Sequence, residues 1–223
     1  MTFLELCVIA RQECSIQGDG PSSVVSQTGL LKKVVDWVAA ADMDVQRKHI
    51  DWNFLRATHP YDIILNTTTI TKPTDHGAWD NDCICIDHGT YDGRKLIWMP
   101  YQEYRQIVSL KSTQQPYLFT VLPSGVLTLA YPSDGAYTFS GDYWKAPQKM
   151  TANTSEPLIP AAYQRIIIER AKMWFFEDIE SERQFLSARD SYDRLMQELE
   201  DQELPNRQGW ARYEADEMVV RPV

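Results

Sequence analysis

Long apolar runs are missing from this chain of 223 residues and 25.8 kDa. None approaches the roughly 20 residues that a helix needs to cross a bilayer. The opening Met1-Thr-Phe-Leu-Glu-Leu-Cys7 has no basic stretch of the kind that begins a secretory signal. The expectation is a protein made in the cytoplasm, with no membrane partner. Cysteine is scarce: four residues are too few for the disulfide framework of a small secreted domain. Cys7 and Cys14 stand at helical spacing among apolar neighbours and read as reduced core thiols. Glycine and proline, at 10 and 12 residues, are too few for a collagen-like or low-complexity chain. Positive charge is also short. The 22 Lys and Arg against 31 Asp and Glu leave a net charge of -9, the wrong sign for a surface that tracks nucleic acid by counterion release. The deficit is greatest at the C-terminal end, where residues 158–223 hold 14 acidic and 9 basic side chains.

What is present is 43% hydrophobic and 24% charged residues, enough for the core of a folded globular protein. Phe3, Leu6, Cys7 and Ala10 follow a helical stripe, as do Leu30, Val34, Trp37, Val38 and Ala41. Thr28 is placed to cap the second helix, and a long loop from Gly18 to Gly29 separates the two. From about Tyr61 the period becomes two. Ile63 and Leu65 alternate, as do Cys83 and Cys85 with Ile84 and Ile86. Leu122-Pro-Ser-Gly-Val126 predicts a turn joining 117–122 to 126–131 as an antiparallel hairpin, and Asn81-Asp82, Asp92-Gly93 and Asp134-Gly135 predict further turns. Pro100 to Val108 predicts a short helix with Tyr101, Tyr104 and Val108 on one face. Helical spacing returns after Pro160 with Tyr163, Ile166, Ile167, Arg170, Ala171, Trp174 and Phe175. It continues with Phe185, Ala188, Tyr192, Leu195, Met196 and Leu199. Residues 178–182 fit either a turn or a continuous helix. No internal repeat is present.

The candidate chemistry is thin. His76, Cys83, Cys85 and His88, with Asp82 and Asp87 nearby, are ligand types that suit zinc. The Cys-x-Cys spacing is not the usual two-residue knuckle, and half-buried strand cysteines are the plainer reading. Gly18-Asp-Gly-Pro lacks the Lys-Ser/Thr ending of a phosphate loop and follows a helix rather than a strand. No Gly-x-Ser-x-Gly occurs, and His49, His59, His76 and His88 fall in no catalytic motif. The pairs Asp42/Asp44 and Glu198/Glu200 read as solvated charge on helix faces. No catalytic residue, cofactor or metal ligand is therefore assigned. The aromatics are numerous: Trp52, with Leu55, reads as core, whereas Tyr131, Tyr137, Tyr143 and Trp144 fit either core packing or an intersubunit surface. Beyond Pro205 the periodicity stops, but Trp210, Tyr213, Met218, Val219 and Val220 make the end too apolar for a solvated tail. It reads as an arm seeking a partner.

Several segments together carry a resemblance: Phe3-Leu-Glu-Leu, Arg11-Gln-Glu-Cys, Gly18-Asp-Gly-Pro-Ser, Gln27-Thr-Gly, Val35-Asp-Trp-Val and Asp51-Trp-Asn-Phe-Leu. Later come Gly125-Val-Leu-Thr-Leu-Ala-Tyr-Pro-Ser-Asp-Gly-Ala-Tyr137, Tyr143, Pro147, Pro157-Leu-Ile-Pro160 and Arg170-Ala171. Over most of residues 1–204 the chain resembles the head-to-tail connector and adaptor proteins of tailed bacteriophages, of the tail tubular protein A-like family. The resemblance implies a structural virion protein at the neck between capsid and tail. It implies a homo-oligomeric ring, typically of twelve copies, that binds the portal protein above and a tail or nozzle protein below while genomic DNA passes through without sequence-specific binding. A tail terminator or head-completion protein is the alternative of the same kind, and a zinc-binding enzyme centred on residues 76–88 is the alternative of another. The expected architecture is α+β: a helical bundle drawn from residues 1–58 and 158–204, a smaller antiparallel β region inserted over 59–157, and an extended arm over 205–223 that contacts the portal or a neighbouring subunit.

Overall fold

The chain begins with a capping box. The Thr2 hydroxyl accepts from Glu5 N–H while the Glu5 carboxylate accepts from Thr2 N–H, starting α1 (Phe3–Glu13). The structure, a computed structural model, describes residues 1–87, 93–107 and 112–205. It divides the chain into one unit of Met1–Phe54 with Pro147 onward, and a second of Leu55–Ala146.

In the first unit, α1 buries Phe3, Leu6, Cys7 and Ala10. Helix α2 (Gly29–Lys48) buries Val34, Val35, Val38, Ala41 and Val45. Leu30, expected on the same stripe, is 41% exposed because it stands in the open first turn. Thr28 is the residue before α2, but its side chain makes no capping bond. The long loop between α1 and α2 is tied down by the Arg11 guanidinium, which donates to the carbonyls of Ile16 and Gly18, and by Asn153, whose Oδ1 accepts from Val24 N–H at 2.7 Å. Helix α4 (Arg165–Asp178) packs on α1, α2 and α5 (Glu182–Glu203). Residues 178–182 form a turn. Glu180 takes φ 54°, and Ser181 N–H reaches back to Phe176 O at 2.9 Å, the closure that ends a helix with a left-handed residue.

The second unit is two four-stranded sheets face to face. The first has the order β1-β8-β3-β4, from β1 (Arg56–Ile63), β3 (His76–Asp87), β4 (Arg94–Lys95) and β8 (Tyr137–Lys145). The second has the order β2-β7-β6-β5, from β2 (Thr69–Ile70), β5 (Ile97–Trp98), β6 (Leu118–Val121) and β7 (Leu127–Leu129). Ile63, Ile84, Ile86 and Phe139 from one sheet and Ile70, Phe119, Leu127 and Leu129 from the other share one core. The predicted hairpin is present as β6–β7, with Phe119 opposite Leu129 and Gly125 at φ 79° in its turn. Helix α3 (Tyr101–Ile107) begins after Pro100 with Tyr101 stacked on Tyr104. Val108 lies outside the described residues.

Three local expectations are corrected. Leu65 is not a strand residue: β1 ends at Ile63, and Ile64 and Leu65 project from the following turn at 67% and 59% exposure. Asn81-Asp82 is not a turn but an irregular stretch inside β3, where the pairing with β8 shifts register between Trp79 and Ile84. The β region is not wholly antiparallel either. The segment 94–98 passes from the first sheet to the second through buried Leu96, so β5 meets β6 in parallel.

Candidate functional site

Three of the candidate zinc ligands, His76, Cys83 and Cys85, lie among the described residues, and each is engaged in packing or pairing within its sheet. His76 opens β3, its ring 4.8 Å from that of Trp79 and stacked on Tyr143 at 5.9 Å. Burial, with Lys72 nearby, lowers its pKa, so the ring is a neutral packing element. Cys83 accepts from Arg56, whose guanidinium also pairs with Asp80 at 3.0 Å and Asp142 at 2.9 Å. Cys85 faces Lys95 on one side and Ser140 on the other. Burial holds the Cys83 thiol above its ordinary range and pushes those of Cys7 and Cys14 to about 12, which suits inert thiols. Among the described residues, no three or more His, Cys, Asp or Glu gather to hold a metal ion. His88 and Asp92 lie outside those residues. The Gly18 loop presents carbonyls to Arg11, the opposite polarity to a phosphate cradle.

Of the aromatics left open between core and interface, Tyr137 and Tyr143 are buried, each with its hydroxyl donated to an aspartate: Asp134 at 2.6 Å and Asp75 at 2.8 Å. Burial first, then those carboxylates, push both phenols to about 12. Tyr131 is half-buried against Tyr117, with ring centroids 5.9 Å apart, and Trp144 is half-buried near the end of β8.

The carboxylates are more engaged than sequence spacing indicates. Glu200 pairs with Lys48 at 2.9 Å and His49 at 3.0 Å, tying α5 to the end of α2. Burial alone pushes Glu200 up, but these two partners more than offset it and its pKa is lowered. Asp44 receives two bonds from Arg170, whose guanidinium lies 4.7 Å over Trp174 and 5.7 Å over Tyr192. Glu13 and Glu169 alternate with Arg165 and Lys172 in a four-residue network across α1 and α4. Asp42 was expected in solvent but is fully buried, because it lies on the same face of α2 as Val38 and Val45. Its Oδ2 accepts from Gln46 at 2.8 Å, and Gln46 in turn holds both the N–H and the carbonyl of Gln148. Asp42 Oδ1 has no donor.

Burial raises the Asp42 pKa from 3.8 to about 6. Above that value the native state carries a desolvated charge; between about pH 6 and pH 4 the native state takes up a proton that the unfolded chain does not, so stability rises as pH falls. Two pKa units correspond to roughly 3 kcal/mol at most. The advantage of Asp42→Asn over the wild type in urea unfolding should therefore shrink by about 2–3 kcal/mol over that window. Parallel stability curves for the two proteins would refute it.

Apolar surface is exposed in each unit. In the first, Leu30, Ile50, Ile179 and Leu186 are exposed, and Trp37 and Trp174 line an open groove of about 350 Å³ with Ala40, Glu177 and Asp178. In the second, Ile64 and Leu65 project from one turn, and Ile97 and Trp98 stand on β5, the outermost strand of its sheet. Sequence reasoning missed β5, since two residues carry no period. The arm residues Trp210, Tyr213, Met218, Val219 and Val220 lie outside the described residues. Among those described, no helix is long and apolar enough to cross a membrane.

The chain matches the family model described as SU10 adaptor protein over residues 1–212. No curated protein matches it.

Proposed function

The chain belongs to the SU10 adaptor protein family of phage structural proteins, and from that membership we propose that it is the head-to-tail adaptor of a tailed phage, of the tail tubular protein A-like kind. In this reading it forms a ring of about twelve copies beneath the portal. The ring joins the portal to the tail or nozzle protein below and leaves a channel through which the genome passes. The match over residues 1–212 carries the reading.

The chemistry of the chain supports it. A ring needs a heterologous interface, with one face of each copy meeting a different face of the next. Exposed apolar residues are available for such contacts in each unit: Leu30, Ile50, Ile179 and Leu186 in one, Ile64, Leu65, Ile97 and Trp98 in the other. A net charge of -9 suits a conduit in which DNA slides without adhering. The helices of residues 1–58 and 158–204 would supply the body of the ring, the β-rich region 59–157 the contact with a neighbour or the tail, and the arm 205–223 the contact with the portal or an adjoining subunit, through Trp210, Tyr213, Met218, Val219 and Val220. The test is to mix the purified chain with portal rings and sediment them. The chain should move into the portal fraction, which also separates an adaptor from a tail terminator; a chain left free would refute the reading.

A further inference from the structure

Two hollows on the first unit adjoin at Glu177. The open groove of about 350 Å³ lies between Trp37 and Ala40 of α2 and Trp174, Glu177 and Asp178 of α4. A second hollow of about 270 Å³, lined by Phe176, Phe185, Glu180 and Glu182 where α4 turns into α5, has Glu177 in its wall as well. Each is thus lined by two aromatic rings. Asp178 receives Lys33 at 2.8 Å, whereas Glu177, Glu180 and Glu182 are exposed carboxylates. Aromatic hollows rimmed by carboxylates fit a segment that interleaves aromatic and cationic side chains.

Such a segment follows α5: Arg207-Gln-Gly-Trp210-Ala-Arg212-Tyr213. It has two arginines, two aromatics and no acid, although residues 158–223 as a whole hold 14 acidic and 9 basic side chains. The family match runs to residue 212 and so takes in Trp210 and Arg212. The groove of the same chain lies out of its reach. Arg170 meets Asp44 of α2 and Tyr192 of α5, and Glu200 of α5 meets Lys48 and His49 at the end of α2, so the two helices run in the same direction. Trp37 and Ala40 lie two to three turns back along α2 from Lys48, roughly 12–17 Å, and Pro205 stands about 7 Å beyond Glu200. Fully extended, the chain from Pro205 to Trp210 spans at most about 18 Å, short of that return. We propose that Trp210 of one copy seats between Trp37 and Trp174 of the neighbouring copy in the ring, with Arg212 on Glu177 and Tyr213 in the adjoining hollow. The proposal rests on the ring reading above. Trp, Tyr and Arg are the residues that most often carry the energy of a protein contact. One short segment buries far less than the roughly 1,200 Å² of a stable interface, so the contact forms where the portal already holds two copies side by side.

Photo-capture in the full-length chain tests it. Chains carrying Cys83→Ser, Cys85→Ser and Ala211→Cys are labelled at position 211 with a benzophenone maleimide, mixed with isotopically heavy chains that lack the label, assembled on portal rings and irradiated. Adducts on the heavy chain at residues 37–40 or 174–185 are expected. Trp210→Ala should lower their yield about fivefold or more. Arg212→Glu should lower it about threefold, and Glu177→Arg on the heavy chain should restore it, a rescue that a folding defect would not allow. Assembly on the portal with no adduct at those residues would overturn the proposal and leave the ring standing. Adducts confined to the portal subunit, or to the labelled chain itself, would also overturn it. Failure to assemble before irradiation would overturn the ring reading and this proposal with it.

Discussion

Replacing Trp52 with alanine should destabilise the first unit by about 3–5 kcal/mol, the range for truncating a large buried aromatic. Trp52 is wholly inaccessible to solvent and touches two rings, His49 edge-on at 5.0 Å and Phe54 stacked at 5.2 Å. It also completes a helix. The last four carbonyls of a helix have no partner within it, and His49, the residue after α2, is already extended. The indole N–H supplies the missing donor, bonding to Val45 O at 3.1 Å. Alanine loses the packing and leaves that buried carbonyl bare, whereas Trp52→Phe keeps most of the volume and should cost only about 1–3 kcal/mol. Urea unfolding of the three proteins should rank wild type, phenylalanine and alanine in that order. Equal midpoints for all three would show that Trp52 does not hold the end of α2.

Deleting residues 205–223 should do the reverse, sparing the fold and abolishing docking. Helix α5 is held by Ala188, Met196 and Leu199 and by the pairing of Glu200 with Lys48 and His49, all before the cut. Stability should change by no more than about 0.5 kcal/mol, as for other changes away from the core. The deletion removes Trp210, Tyr213, Met218, Val219 and Val220. If even two of these anchor a partner, affinity for portal particles should fall roughly a hundredfold or more. A truncated chain that unfolds at the wild-type urea concentration but does not sediment with portal is the expected result. Docking at wild-type affinity would contradict the arm hypothesis.

The four long helices were legible because each buries one stripe, and burial at three- and four-residue spacing is a strong signal over ten or more residues. The β6–β7 hairpin was legible from Pro123-Ser-Gly125, whose glycine supplies the positive φ of the turn. One of the two inner strands of the first sheet, β8, left a weaker trace. Its buried positions alternate as Tyr137, Phe139, Gly141 and Tyr143, but the glycine interrupts the apolar pattern. Its reason is visible only in three dimensions: a Cβ at Gly141 would come within 2.6 Å of the Phe139 ring and 2.9 Å of the Ile84 side chain. The pairing of β8 with β1 joins Arg56 to Trp144 and Ile63 to Tyr137, partners far apart in sequence that no local pattern announces. Strands β2, β4 and β5, at two residues each, exist only because their neighbours recruit them.

The candidate sites divide the same way. Ligand types could be read from the sequence, but whether His76, Cys83 and Cys85 converge depended on the register shift in β3 and on the rings and the guanidinium that engage His76 and Cys83. Asp42 was legible as a helix residue but not as a buried one, since a carboxylate on an apolar stripe is tolerated only through its bond to Gln46.

The central claim is that this chain is a ring-forming adaptor, and the most direct measurement is the mass of the purified protein alone and after mixing with portal rings. A 25.8 kDa species on its own, which adds one copy for each portal subunit on mixing, is the predicted result: the arm has no partner surface until the portal presents the copies side by side. A stable small oligomer that leaves the portal mass unchanged would contradict it.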